Sequence, residues 1–232
     1  YAVDKLFEAL APLIGFEDLH ERALRPGELL HSSVKERQAW ADHAESYLDE
    51  VRALVQTSLL KAWAAAWATR LGVEDQDVDR IKYGLIDPFF RAFAGWDLSR
   101  SLRTMCDFPT YEGDVHSFAE RIARDAATKA PHAASVSDLA AWLETYRAKL
   151  TAEGRPTSHV AMHMKRANPR FVLRNWITDL VAEQLASSND TKLLERVRAM
   201  CAAPFEAYDA PDDASLCEVG ELLQSNTPSC SS

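Results

Sequence analysis

A row of apolar residues spaced four apart constrains this chain most: Val51, Val55, Leu59, Trp63, Trp67 and Leu71, with Tyr47 and Leu54 beside it. A strand turns its side chains to opposite faces at every step, whereas this spacing keeps one face of an α-helix apolar. The row predicts a long amphipathic helix from Ser33 to Leu71, with its tryptophans in the core. Gly72 follows directly and can take the left-handed C-terminal cap.

The remaining pattern is also helical. Leu6, Leu10, Leu13 and Ile14 share one helix face, and Val78, Ile81 and Leu85 another, with Pro88 expected to break or kink the second. Asp97 or Ser99 can cap a short helix carrying Leu98, Leu102 and Met105. Residues 108 to 114 read as loop, Val115 to Ala127 as a helix exposed on one side, and Pro131 to Ser135 as a break. Ser137 is expected to cap a helix that buries Leu139, Trp142, Leu143, Tyr146 and Leu150 and ends at Gly154 and Pro156. Asn168-Pro169 places a preferred cap before a proline at the first helical position, ahead of a stripe running from Phe171 to Leu185. Asp190 or Thr191 starts a last helix, with Leu194, Val197 and Met200 inward and Pro204 ending it. From Asp209 onward the composition predicts an extended or disordered tail. No sustained alternation of period two supports a sheet. The expected fold is therefore mainly α, of about seven to nine helices, in one region over 1–208 followed by the 209–232 tail.

Composition narrows function. With 26 basic against 35 acidic residues the chain carries −9, a poor match for a phosphate backbone, so no nucleic-acid partner is expected. The apolar run from Ala62 to Ala68 is far short of the ~20 residues of a membrane span, so no membrane partner is expected either. Tyr1 begins a stretch that already reads as helix, which predicts a piece of a longer protein. Cys106, Cys201, Cys217 and Cys230 form no C-x-x-C pair. Cys106 and Cys201 read as buried, inert thiols, whereas Cys217 and Cys230 fall in the polar tail.

No motif for catalysis stands out. Phosphate-cradling glycine loops, kinase catalytic loops, nucleophile elbows and zinc helices are absent from the sequence. His159 and His163 would share a helix face but have no third ligand nearby in sequence, so no metal site is assigned. Asp97, Arg100 and Arg103 could form one ion-pair set, and Arg174, Asp179 and Glu183 another. Arg170, Arg174 and Asn175 are the polar residues of most interest. Arg170 is expected in the first turn of a helix, against the macrodipole, which points to a specific partner such as a carboxylate elsewhere.

The run Asn168-Pro169-Arg170-Phe171-Val172-Leu173-Arg174-Asn175 resembles the N-P-[KR]-[YF]-[VI]-L-R-N signature of the selenoprotein O family, with Trp176 where many members have Tyr. Met164-Lys165 before it also fits. Arg70-Leu71-Gly72-Val73 is similar to the family's K-L-G-L segment, and Asp97-Leu98-Ser99 with Leu102-Arg103 to its D-[YF]-T-x-x-F-R pattern. Leu6, Ala9, Leu10, Pro12 and Leu13 are similar to the helix after the family's catalytic core, and Pro204-Phe205 and Cys230-Ser231-Ser232 to its end. Residues 110–134 have no such counterpart.

The resemblance implies a protein adenylyltransferase with a kinase-like fold, which uses ATP and Mg²⁺ to transfer AMP to Ser, Thr or Tyr hydroxyls of protein substrates. It places the nucleotide-binding, catalytic and metal-binding residues before Tyr1. This chain would then be the helical C-terminal part of the large lobe, partnered with that upstream segment, inactive alone and binding no cofactor itself. Cys230 corresponds to a position that is selenocysteine in some animal members, and the terminal Cys is implied to pair with a cysteine near the active site and restrain activity. The resemblance implies a mitochondrial location for eukaryotic members and a cytoplasmic one for bacterial members; Phe171 and Trp176 lean toward a fungal-like, mitochondrial member. A stand-alone helical interaction module and an ordinary kinase-type phosphotransferase are the alternative readings.

Overall fold

The computed structural model describes residues 2–126 and 133–219. Every regular element among them is helical and none is a β-strand, so the protein is mainly α. The chain divides into two compact units, Tyr1–Trp63 and Ala64–Ser232.

The first unit holds α1 (Ala2–His20), α2 (Glu28–His31) and most of α3 (Val34–Arg70). Its core is small: Phe7, Ala11, Ala44 and Leu48 are buried, with Ile14, Ala41, Val51 and Val55 packed against them. Gly15 permits this packing, because a Cβ there would lie 1.7 Å from the Trp40 carbonyl oxygen. A reciprocal capping box starts α3. The Ser33 amide donates to Glu36 (2.7 Å) and the Glu36 amide to Ser33 Oγ (3.2 Å). The helix predicted from Ser33 to Leu71 is therefore present, but its apolar row is not buried throughout. Tyr47, Leu54 and Leu59 are exposed, and burial returns only at Trp67 and Leu71.

The second unit begins with the end of α3, closed by Gly72 at φ +64°. Next come α4 (Val78–Ile81), a π-helical turn (Lys82–Ile86) and α5 (Asp87–Ala92). Pro88 has no N–H to offer Gly84 four residues back. The backbone widens before it, and the Asp87 amide bonds the Lys82 carbonyl five residues earlier. The expected break is thus absorbed by the π turn, whose Leu85 carbonyl accepts from Trp142 Nε1 at 3.0 Å. Then follow α6 (Leu98–Met105), a 3-10 turn (Phe108–Thr110), α7 (Val115–Ala126), α8 (Ala133–Glu153) and α9 (Thr157–Ala167), and finally α10 (Asn175–Ser188), α11 (Lys192–Ala202) and α12 (Pro211–Leu216). These exceed the expected seven to nine helices because several are single turns.

Aromatic rings build this core. Phe89 stacks on Phe93 (4.0 Å) and Trp142 on Tyr146 (5.0 Å), while Phe108 meets Phe118 edge-on (4.9 Å). Tyr146 is fully buried, and its hydroxyl donates to the Leu71 carbonyl. The stretch 110–134 contributes to this core, since Phe118, Ala119 and Ile122 of α7 are buried. A second cluster comprises Phe171, Ile177, Val181, Val197, Met200, Leu216 and Cys217.

Several expectations are corrected. Ser137 lies inside α8, which already runs from Ala133, so it caps nothing; the expected break at Pro131 lies outside the described residues. Asn168-Pro169 does not open a helix: Asn168 is the C-cap of α9, and residues 168–174 are an irregular connection before α10. Leu180 and Leu194 are exposed. Residues 211–216 form α12, and Leu216 and the following Cys217 are buried, which departs from an extended tail; residues 220–232, with Cys230, lie outside the described residues.

Candidate functional site

The connection between α9 and α10 gathers the polar residues singled out in the sequence. Asn168 has no solvent exposure. Its backbone leaves the helical region (φ −116°, ψ 110°), the Pro169 ring follows, and α9 ends. The Asn168 Nδ2 group donates to the Arg70 carbonyl (2.7 Å) and to the Met164 carbonyl (3.0 Å). It thereby takes up the Arg70 carbonyl at the end of α3 and adds a second donor to the Met164 carbonyl, which already accepts the Asn168 backbone amide at 2.9 Å. Arg103 of α6 closes the same helix end, donating to the Lys165 (3.0 Å) and Asn168 (2.9 Å) carbonyls.

The next residues are held by backbone. The Arg170 and Phe171 amides both donate to the Pro204 carbonyl, at 2.7 and 3.0 Å, and the Phe171 ring enters the second apolar cluster. Arg174 then provides the charged anchor. It sits extended at the N-cap of α10, and its guanidinium grips both carboxylate oxygens of Asp97, with Nη2 to Oδ1 at 2.9 Å. The same carboxylate accepts the Arg100 amide at 2.7 Å, so Asp97 caps α6 and fixes α10 together. Both side chains of the pair are mostly buried. Asn175 is exposed at the first turn of α10, where its carbonyl accepts from Thr178.

The site thus brings Asn168, Pro169, Arg170 and Arg174 against the ends of α3, α6, α9 and α11, and leaves Asn175 outside. Two predicted ion-pair sets are corrected. Arg174 pairs with Asp97, not with Asp179 or Glu183. Arg100 pairs with Glu218 at 2.9 Å, and Arg103 with carbonyls. Arg170 is outside any helix, so the macrodipole argument does not apply; burial raises the pKa of Cys217 and of Glu218, and the Arg170 guanidinium beside them offsets part of that rise. The Asp97 cap is visible in sequence, whereas its pairing with a residue 77 positions away carries no local signal.

Of the thiols, Cys106 is as expected and two others depart from expectation. Cys106 is buried, its pKa pushed up to about 11 by desolvation, with Asn168 Nδ2 near its sulfur at 3.7 Å. Cys201 is exposed and Cys217 buried, the reverse of the sequence reading. A cleft of about 480 Å³ beside Phe108 and Tyr111 contains Arg147 and Arg155, but both are engaged internally: Arg147 lies 4.8 Å over the Phe108 ring and Arg155 bonds Glu153 at 2.7 Å. Among the described residues no group of three or more His, Cys, Asp and Glu could hold a metal ion, and His159 and His163 are exposed on α9.

Fold and site define a class: a helical module in which the Asn168–Arg174 segment holds helix ends together. The chain belongs to the SelO family, since the family model described as "Protein adenylyltransferase SelO" matches residues 28–202. Curated relatives carry the description "Protein nucleotidyltransferase YdiU". The one from Ralstonia nicotianae is 38% identical over 87 residues, which is 34% of this chain and 16% of the relative. That from Nitrosospira multiformis is 32% identical over 98 residues (42% and 17%), and that from Myxococcus xanthus 37% over 68 (29% and 14%). The match therefore spans about a sixth of the length of these relatives. All three organisms are bacteria, which lends no support to the mitochondrial expectation. No helix among the described residues is long and apolar enough to cross a membrane.

Proposed function

We propose that this chain is the C-terminal helical part of a protein adenylyltransferase that transfers AMP from ATP, with Mg²⁺, to Ser, Thr or Tyr hydroxyls of protein substrates. The observation that carries the reading is the family match over residues 28–202. The nucleotide- and metal-binding residues belong, in this reading, to an upstream segment of the same protein. Relatives about six times longer than the matched stretch support that division. The role of the chain is support: Asn168, Arg170, Arg174 and their partners hold four helix ends in one arrangement. Cys230 supplies redox control, as a thiol on the terminal segment that can form and release a disulfide with a cysteine near the active site.

The test uses the longer protein with its upstream segment, incubated with Mg²⁺, reductant and ATP labelled at either the α or the γ phosphorus. Label on protein from the α position alone is expected. Label from γ alone would mean ordinary phosphorylation and overturn the reading. Deleting residues 227–232 is expected to change redox sensitivity while sparing AMP transfer under reducing conditions; an unchanged redox response would remove the role of Cys230.

A further inference from the structure

The segment from Tyr208 to Glu218 is built as a strap with few and weak fasteners. Tyr208 turns the chain with a positive φ of 51°, a conformation that non-glycine residues adopt rarely. The strap then forms α12, six residues with Pro211 in its first turn and no side-chain N-cap bond. A helix this short has little stability of its own. Only Leu216 and Cys217 of the strap are fully buried, against Phe171, Ile177, Val181, Val197 and Met200. The Tyr208 hydroxyl donates to the Ala203 carbonyl at 2.7 Å, Arg170 lies beside Glu218, and two ion pairs add to the attachment. Arg196 of α11 reaches Asp213, with Asp212 at 3.5 Å, and Arg100 of α6 reaches Glu218 at 2.9 Å. Glu218 is about half exposed, while Arg100 and Asp213 are mostly buried, so water and salt reach each link from one side only and weaken it in part. Closure also leaves Arg100 Nε buried without a partner among the described residues, a cost that opening relieves.

We propose that residues 209–218 open and close locally as a strap over the Phe171–Ile177 face, latched by Glu218 on Arg100 and by Asp213 on Arg196, while the aromatic core stays folded. Local opening of this kind draws on segments with few buried contacts and exposed polar links. The closed strap fixes the point from which the terminal segment departs. Cys230 lies 13 residues beyond Cys217, a tether of at most ~45 Å. Opening from Asp209 frees eight more residues, or ~27 Å of added reach. The bearing on Cys230 rests on the redox reading above; the strap itself is tested without it.

Three cysteines report the motion independently: Cys201 is exposed, Cys106 lies in the core, and Cys217 is under the strap. The intact protein is reacted with N-ethylmaleimide, and each labelled peptide is followed by mass spectrometry. Cys217 is expected to react more slowly than Cys201 and faster than Cys106. Its rate is expected to rise about twofold to fivefold in Glu218→Gln or Asp213→Asn, the effect of losing one partly exposed ion pair. It should rise similarly in wild type at about 1 M salt. An unchanged Cys106 rate in each variant shows that the fold is intact. Cys217 reacting in step with Cys106, or as fast as Cys201, or at a rate that neither substitution moves, would overturn the strap. AMP-transfer regulation is a separate readout, so failure of the Cys230 role leaves the labelling result standing.

Discussion

Asn168 shows how one side chain can tie distant helices together. Its side-chain amide reaches carbonyls at the ends of two helices, and an alanine there removes the bond to the Arg70 carbonyl, leaves the Met164 carbonyl with the backbone amide alone, and empties a fully buried position. Asn168→Ala is expected to destabilise the protein by about 2–3 kcal/mol, seen as a fall of about 5–10 °C in thermal midpoint. Asp97 separates two effects that usually coincide. Asp97→Asn keeps a good N-cap for α6 but removes the charge gripped by Arg174. It should cost about 1–2 kcal/mol, and a double-mutant cycle with Arg174→Met should show coupling of about 1 kcal/mol or more. Additive effects would mean that the two side chains do not work as a pair. At this scale the sequence was half legible. Asp97 announces itself as a cap, and the Asn-Pro-Arg run announces importance. Asn-Pro is an equally good signal for a helix start and a helix end, however, and only the distant bond of Asn168 to the Arg70 carbonyl goes with the end.

Elements were legible where their apolar face was buried along its whole length. Leu139, Trp142, Leu143 and Tyr146 of α8 are buried as their spacing predicts, with Leu150 half-buried, and α7 is the one-side-exposed helix expected there. Residues 211–216 were missed because Asp, Pro and Ser dominate them. Pro at the first turn followed by Asp212 and Asp213 is nonetheless a helix-start signal, and it was available in the sequence. The connection from α3 to α4 carries a pH prediction. Asp75 accepts the Asp77 amide (3.0 Å) and pairs with Lys149 (2.9 Å) and Arg80 (3.2 Å). These contacts, the backbone bond first, hold its carboxyl at about 2 against an ordinary 3.8. A carboxyl lowered by folding contributes stability that is present above the unfolded value and lost as pH falls through the folded one. The contribution of Asp75 should therefore fade between pH 4 and 2. Urea titrations of Asp75→Asn should show a shallower loss of stability over that window than wild type; an identical slope would mean that Asp75 is not held as described.

Beyond single elements, composition and periodicity were enough for a mainly α fold, and the signature run for the family. Neither indicated that α3 would leave one core and enter another. The helix is 37 residues, or ~55 Å, too long for the small cluster around Phe7 and Leu48 to cover. Every residue from Gln56 to Ala62 is exposed, including Leu59 and Leu60. Apolar spacing alone cannot report this, because an apolar face is needed equally by a helix buried now and by one covered by another part of a longer protein. Hydrogen exchange separates the two. In this chain alone, amide protection along α3 should dip over 56–62 and rise toward Trp67 and Leu71, whose surroundings include the aromatic core. In the longer protein, a dip that disappears would place the remaining portion over Leu59 and Leu60, in keeping with the proposed supporting role. A dip that persists would leave that stretch facing water in both, and the support would have to run through the Asn168–Arg174 segment instead.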